Sequence, residues 1–217
     1  MKENQLNVGI VGGMGPLASN YFVQRLHEYV IDHDSCNSVS TIHVNDDTAP
    51  DRDPDFKGEL LKFVSRKAKN LEYIGVDVIS MPCVTGQMII EDRTGDISRF
   101  CAIFESDLSS VSHRDCVILA THTSMEMGLD KKLPVGTNIR ISDKSQDLID
   151  QSIMKLKANE KNQALKLINT VMTAEELQKD ATLVLGCSEL SILNKDLSKD
   201  YHIADLMELY IHAILNY

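Results

Sequence analysis

The feature that most constrains this chain is a strict alternation of short apolar runs with helical patterns. Residues 6–11, 39–44, 76–81, 116–120 and 183–185 are compact apolar runs bounded by Gly, Pro or polar residues, and they predict strands. Between them, 17–31 carries apolar side chains near helical spacing at Phe22, Leu26 and Val30, with Pro16 suited to a first helical turn. Residues 60–71 form an amphipathic helix pattern through Leu60, Leu61, Val64, Ala68 and Leu71. Residues 148–156, 164–177 and 204–215 also read as helices, 139–141 and 201–203 as short strands, and 45–54 as a loop of Asp, Asn and Pro. Strands that alternate with helices predict parallel sheets with helices on both faces.

The alternation runs through the chain twice. Val8 and Val117 lie 109 positions apart, and Cys83 and Cys187 lie 104 apart. In each half the first strand ends in a Gly, Thr or Ser turn, and a later strand ends in a cysteine with a hydroxyl residue close behind it. A length of 217 residues suits one large domain or two small ones. The expected fold is α/β, with two similar lobes related by a pseudo-two-fold duplication. Each is a mostly parallel sheet flanked by helices, with the active site in the cleft between them. The first lobe takes residues 1–103 plus 205–217, and the second takes 104–204.

Composition excludes several classes of partner. The 22 basic and 32 acidic residues leave a net charge of −10, a surface that a phosphate backbone repels, so nucleic acid is not expected. No apolar run approaches the ~20 residues of a membrane helix, and no signal segment is seen, so the protein reads as cytoplasmic. Five cysteines, an odd number without a C-x-x-C pair, fit free thiols in a reducing compartment rather than a disulfide framework or structural zinc.

In parallel α/β sheets, ligands bind beyond the carboxyl ends of the strands. Four such ends are chemically distinctive: Gly12-Gly13-Met14-Gly15, Cys83-Val84-Thr85, Thr121-His122-Thr123-Ser124, and Cys187-Ser188-Glu189. Two thiols at matching strand ends suit a reaction that needs a base on one face of a carbon and an acid on the other, such as inversion of a stereocentre. A free thiol titrates near ~8.5, and a helix N-terminus or a cation can tune it. Each of these cysteines precedes an expected helix start, with Thr85 or Ser188 as cap. Cys36, Cys101 and Cys116 read as inert core thiols.

Three other chemistries fit less well. Gly13-Met14-Gly15-Pro16-Leu17-Ala18 matches a dinucleotide pattern, but Pro16 removes an amide a phosphate would use, and Asp46 and Asp47 lie too far on for a ribose. None of the seven histidines pairs at metal-binding helical spacing. A thiolate hydrolase using His122 or His202 leaves one cysteine unexplained.

These residues resemble the cofactor-independent aspartate/glutamate racemase family, most closely its aspartate racemase branch. The matching pieces are Gly9-Ile10-Val11-Gly12-Gly13-Met14-Gly15-Pro16, Pro50-Asp51-Arg52, Met81-Pro82-Cys83-x-Thr85, Ala120-Thr121-x-x-Ser124, the segment around Lys157, and Gly186-Cys187-Ser188-Glu189-Leu190. They recur in family order across nearly the whole chain. The resemblance implies an amino-acid racemase that needs no pyridoxal phosphate, works as a homodimer, and acts on aspartate, with glutamate as the further candidate substrate. Cys83 and Cys187 would be the acid/base pair, and Arg52 and Lys157 the cations on the side-chain carboxylate. Met14, Thr85, Thr121, Ser124 and Ser188 would line the substrate, and Glu189 would tune the second thiol.

The chain departs from the family pattern after the first cysteine. Val84 stands where Asn is usual, Gly86 where Ala is usual, and Gln87 where His is common. Val84 leaves two alternatives open. One is a same-fold isomerase or decarboxylase of a non-amino dicarboxylate, and the other is a binding protein that has lost its catalysis.

Overall fold

The computed structural model describes residues 4–33, 37–46, 48–50, 56–91, 97–105, 115–134, 137–179 and 181–217. Its chain divides into two compact units, Met1–Glu105 with Tyr210–Tyr217, and Ser106–Leu209.

The first unit is built on a three-stranded parallel sheet. Strand β1 (Asn4–Val11) is central, between β2 (Asn37–Val44) and β3 (Val78–Ser80). Val8, Ile10 and Val11 of β1 are buried, as a central parallel strand requires. Helix α1 (Pro16–Asp32) follows β1, with Pro16 in its first turn, and buries Ala18, Ser19, Phe22 and Leu26. Helix α2 (Phe56–Ile74) buries a stripe of Phe56, Leu60, Phe63, Val64, Ala68 and Leu71, the spacing that turns one helical face to a sheet. Helix α3 (Val84–Glu91) follows β3.

The second unit repeats this plan. Strand β4 (Asp115–Leu119) lies between β5 (Thr137–Asn138) and β6 (Thr182–Leu185), and β7 (His202–Asp205) extends the sheet beyond β6, all pairs parallel. Short helices α4 (His122–Glu126) and α5 (Leu129–Lys132) follow β4. Helices α6 (Asp143–Lys157) and α7 (Lys161–Ala174) supply Ile149, Ile153, Leu156, Ile168 and Val171 to a core shared with β4 and β6. A 3-10 turn (Leu190–Leu193) and the one-turn α8 (Asn194–Leu197) precede β7, and α9 (Leu206–Leu215) closes the chain.

Several expected boundaries shift, each for a local reason. The strand expected at 139–141 is instead the two-residue β5, two positions earlier. Ile139 still donates its amide to the Cys116 carbonyl at 2.8 Å, but Ile139 and Ile141 pack on the core from outside the ladder. Helix α7 ends at Ala174 rather than 177, because Glu176 takes a positive φ of 50°. The last helix starts at Leu206 rather than 204, because the Asp205 carboxylate accepts the Met207 amide at 2.9 Å and ends the strand there. A regular helix does not follow Cys187. Ser188 precedes the 3-10 turn without capping it, and Thr85 lies inside α3, whose N-cap position belongs to Cys83.

Two backbone demands explain the glycines after β1. Gly13 has φ of +107°, and a Cβ there would sit 1.9 Å from the Asp46 carbonyl oxygen; at Gly12 a Cβ would sit 2.5 Å from His43 Nε2. Gly13→Ala is therefore expected to lower unfolding free energy by about 2 kcal/mol or more. Gly58→Ala, in α2 with nothing within 4 Å of its added methyl, is expected to raise it by up to about 0.5–1 kcal/mol. Urea unfolding of both variants checks the pair.

Asp205 ties the segment after Cys187 to the start of α9. It accepts from Ser191 Oγ at 2.7 Å, Asn194 Nδ2 at 2.8 Å and the Met207 amide at 2.9 Å. Burial pushes its carboxyl up to about 6 despite these donors. The folded chain thus favours the protonated form more than the unfolded chain does. That contribution is fully present in acid and lost as pH rises through about 6. Asp205→Asn removes the titration, so the stability gap should move in the wild type's favour, by on the order of 3 kcal/mol, from about pH 7.5 to about pH 4. Denaturant unfolding of both proteins across that range gives the test, and a constant gap would contradict it.

Candidate active site

Both sheets have the same topology around their central strand. The chain leaves β1 for β2 on one side and then crosses to β3 on the other; β4, β5 and β6 repeat this. The reversal puts a crevice at the carboxyl ends of β1 and β3 in the first unit, and of β4 and β6 in the second, where such sheets bind ligands. The four distinctive strand ends occupy these places. Gly12-Gly13-Met14-Gly15 follows β1, Cys83 follows β3, Thr121 follows β4, and Cys187 follows β6.

In the first unit Met14 and the half-buried Cys83 pack against one apolar cluster that includes Val11, Met81 and Phe100. The Cys83 carbonyl accepts the Gln87 amide at 2.9 Å, which sets Cys83 at the N-terminus of α3, the positive end of the helix dipole. Thr85, Val84 and Gln87 are buried. A Cβ on Gly86 would lie 2.6 Å from Met81 Cε and 3.4 Å from Cys83 Sγ. Met81 thus fills the space that the methyl of the more usual Ala would take. Arg52, expected as a carboxylate ligand, lies outside the described residues, as do Asp47 and Cys36.

In the second unit the Gly186 amide donates to the Leu119 carbonyl at 2.8 Å, and a Cβ on Gly186 would sit 3.0 Å from Ala120 Cβ. The segments bearing Thr121 and Cys187 therefore leave the sheet side by side. Thr121 is the N-cap of α4. Its Oγ1 accepts the Ser124 amide at 3.2 Å and lies 2.9 Å from Ser124 Oγ, so the two hydroxyls are held together. Gln146 Nε2 donates to the Ala120 carbonyl at 2.9 Å and secures this end.

Cys187, Glu189 and Lys157 form a chain of contacts. The Cys187 thiol donates to Glu189 Oε2 at 3.1 Å, and Lys157 Nζ stands 3.9 Å from Glu189 Oε1. Glu189 is 6% exposed, and its Oε1 has no hydrogen-bond partner among the described residues. A thiol beside a buried carboxylate has a proton acceptor at hand, and the lysine supplies compensating charge. Ser188, between Cys187 and Glu189 in sequence, is buried.

Other groups are already engaged. Asp46, weighed as a ribose ligand, is bound by Lys67 and by the Thr48 amide and hydroxyl, and the Lys67 ammonium holds its carboxyl far below the usual carboxylate range. His122, a partner for a thiolate hydrolase, is exposed and faces Glu126 at 3.2 Å. Cys101 and Cys116 are buried. Among the described residues no three His, Cys, Asp or Glu side chains gather as metal ligands would, and no helix is long and apolar enough to cross a membrane. A cavity of about 250 Å³ in the second unit is lined by His122, Asp130, Arg140 and Asp143 over Ile118 and Ile139, and by none of the expected site residues.

Sequence reasoning passed over three residues that hold these strand ends: Tyr210, Asp205 and Gln146. Only Asp205 carried a signal, an acidic residue just ahead of a helical pattern.

No protein-family model matches the chain. The broad-specificity amino-acid racemase RacX of Bacillus subtilis is 23% identical over 209 residues, 91% of this chain and 92% of that protein. The aspartate racemase of Picrophilus torridus superposes with a TM-score of 0.80 at 24% identity, covering 97% of this chain and 93% of the other. The glutamate racemase of Thermus thermophilus, in complex with β-chloro-D-alanine, gives 0.70 at 16% identity over 97% of this chain and 79% of its own. The chain has the fold of the aspartate and glutamate racemases.

Proposed function

We propose that this protein is an amino-acid racemase acting on aspartate, and on glutamate as the next homologue, by proton transfer between two thiols without pyridoxal phosphate. The observation that carries this reading is that Cys83 and Cys187 follow topologically equivalent strands, β3 and β6, each at the carboxyl-end crevice of its own sheet. The racemase relatives support the class of reaction.

In the proposed step one cysteine, as thiolate, takes the α-proton. The C–H electron pair passes into the α-carboxylate as an enediolate. The other cysteine, as thiol, delivers its proton to the opposite face, so the enzyme ends with the two protonation states exchanged. The α-proton is far less acidic than a thiol, so charge developing on the carboxylate must be met by fixed donors and cations. Thr121, Ser124 and the amides at the two strand ends serve the α-carboxylate, and Arg52 and Lys157 serve the side-chain carboxylate. Glu189 accepts the Cys187 proton and prepares that thiolate. Met14, Thr85 and Ser188 shape the substrate's surroundings. Val84 offers no side-chain amide to the substrate, and its side chain is buried and apolar.

Single cysteine variants separate the two half-reactions. Cys83→Ala and Cys187→Ala are each expected to abolish racemisation while each still exchanges the α-proton of one enantiomer with D₂O, and of opposite enantiomers in the two variants. Proton NMR of each enantiomer with each variant reads this out. Normal racemisation by both variants would overturn the two-thiol mechanism.

A further inference from the structure

We infer that Gln87 and Tyr210 are positioning residues that set the Cys83 thiol by clamping the main chain of Met81, two positions ahead of it, on both sides. The inference rests on the proposed role of Cys83. Strand β3 ends at Ser80, so the polar groups of Met81 fall outside its ladder. Gln87 Nε2 donates to the Met81 carbonyl at 2.8 Å, and the Met81 amide donates to Tyr210 Oη at 3.2 Å. Each clamping group is anchored in turn. Gln87 Oε1 accepts the Ile103 amide at 2.7 Å, and Tyr210 donates to the Cys101 carbonyl at 2.7 Å.

The clamp reaches Cys83 directly. The Cys83 amide donates to the same Met81 carbonyl at 2.8 Å, while its carbonyl accepts the Gln87 amide at 2.9 Å. Gln87 thus holds Met81-Pro82-Cys83 at both ends, with its side chain and its main chain, and Pro82 stiffens the link. Gln87 and Tyr210 are 2% and 1% exposed. Water cannot replace their bonds without opening the core. Burial raises the Tyr210 hydroxyl well above its ordinary range, so it stays a donor at physiological pH.

The test uses Gln87→Met and Tyr210→Phe, the second keeping the ring that packs 5.7 Å from Phe22. A positioning role predicts that kcat falls about tenfold or more with KM little changed, since misplacing a reacting group by a fraction of an ångström acts on the transition state. It also predicts asymmetry. Solvent exchange should fall for the enantiomer that the Cys187→Ala protein still exchanges, the one handled by Cys83, and be kept for the other. Iodoacetamide labelling resolved by peptide mass spectrometry reports independently of activity, and its pH profile should change at Cys83 and not at Cys187. An altered Cys83 profile in a protein that never racemises would sink the proposed activity and keep the clamp. Unchanged labelling with equal losses in both half-reactions would overturn the clamp. Should both variants fail to fold, amide exchange in the wild-type protein decides, with the Met81 amide protected as strongly as the β3 ladder if the clamp holds, and exchanging at loop rates if it does not.

Discussion

A strand that stops must find partners for the peptide groups its sheet no longer satisfies, and the candidate site depends on how this chain solves that problem. The crevice at a topological switch point exists because neighbouring connections leave in opposite directions, so backbone there lies beyond any ladder. Buried and unpaired, each such group would cost about 1–3 kcal/mol. The first unit answers with Gln87 and Tyr210 on Met81. The second answers with Gln146 on Ala120 and with Asp205 beneath the turn that follows Cys187. Reactive side chains can then sit on irregular backbone that holds its place like a strand.

The same economy explains the contrast between the two thiol environments. Cys83 stands at the start of an eight-residue helix and packs against an apolar cluster. Cys187 donates to a buried carboxylate that itself stands near a lysine. Two thiols with different surroundings suit a reaction in which one must be deprotonated while the other still carries its proton.

Much of this architecture was legible in the residues. Parallel strands buried on both faces read as apolar runs, which is why β1, β4 and β6 lie where those runs do. Boundaries were less legible, because they depend on single contacts across the fold. Ile139 and Ile141 carry strand-forming side chains but serve packing, while Ala204 pairs with Val184 as a strand residue and the Asp205 carboxylate takes the Met207 amide where the helix begins. At the site, cysteines, threonines and glycines announced themselves by chemistry at strand ends. Tyr210 did not, since its partners Met81 and Cys101 are more than a hundred residues away in sequence. Gln87 stood out as a departure from the family pattern, and its structural work became visible only with both of its amide groups placed.

The most direct test of the two-thiol account is the isotopic label during the first turnovers of L-aspartate in D₂O. Two bases on opposite faces predict that newly formed D-aspartate carries deuterium at the α-carbon while the remaining L-aspartate is still protiated. D-aspartate that retains the original α-proton would mean that one group removes and returns it, and would contradict the assignment of Cys83 and Cys187 as an acid/base pair.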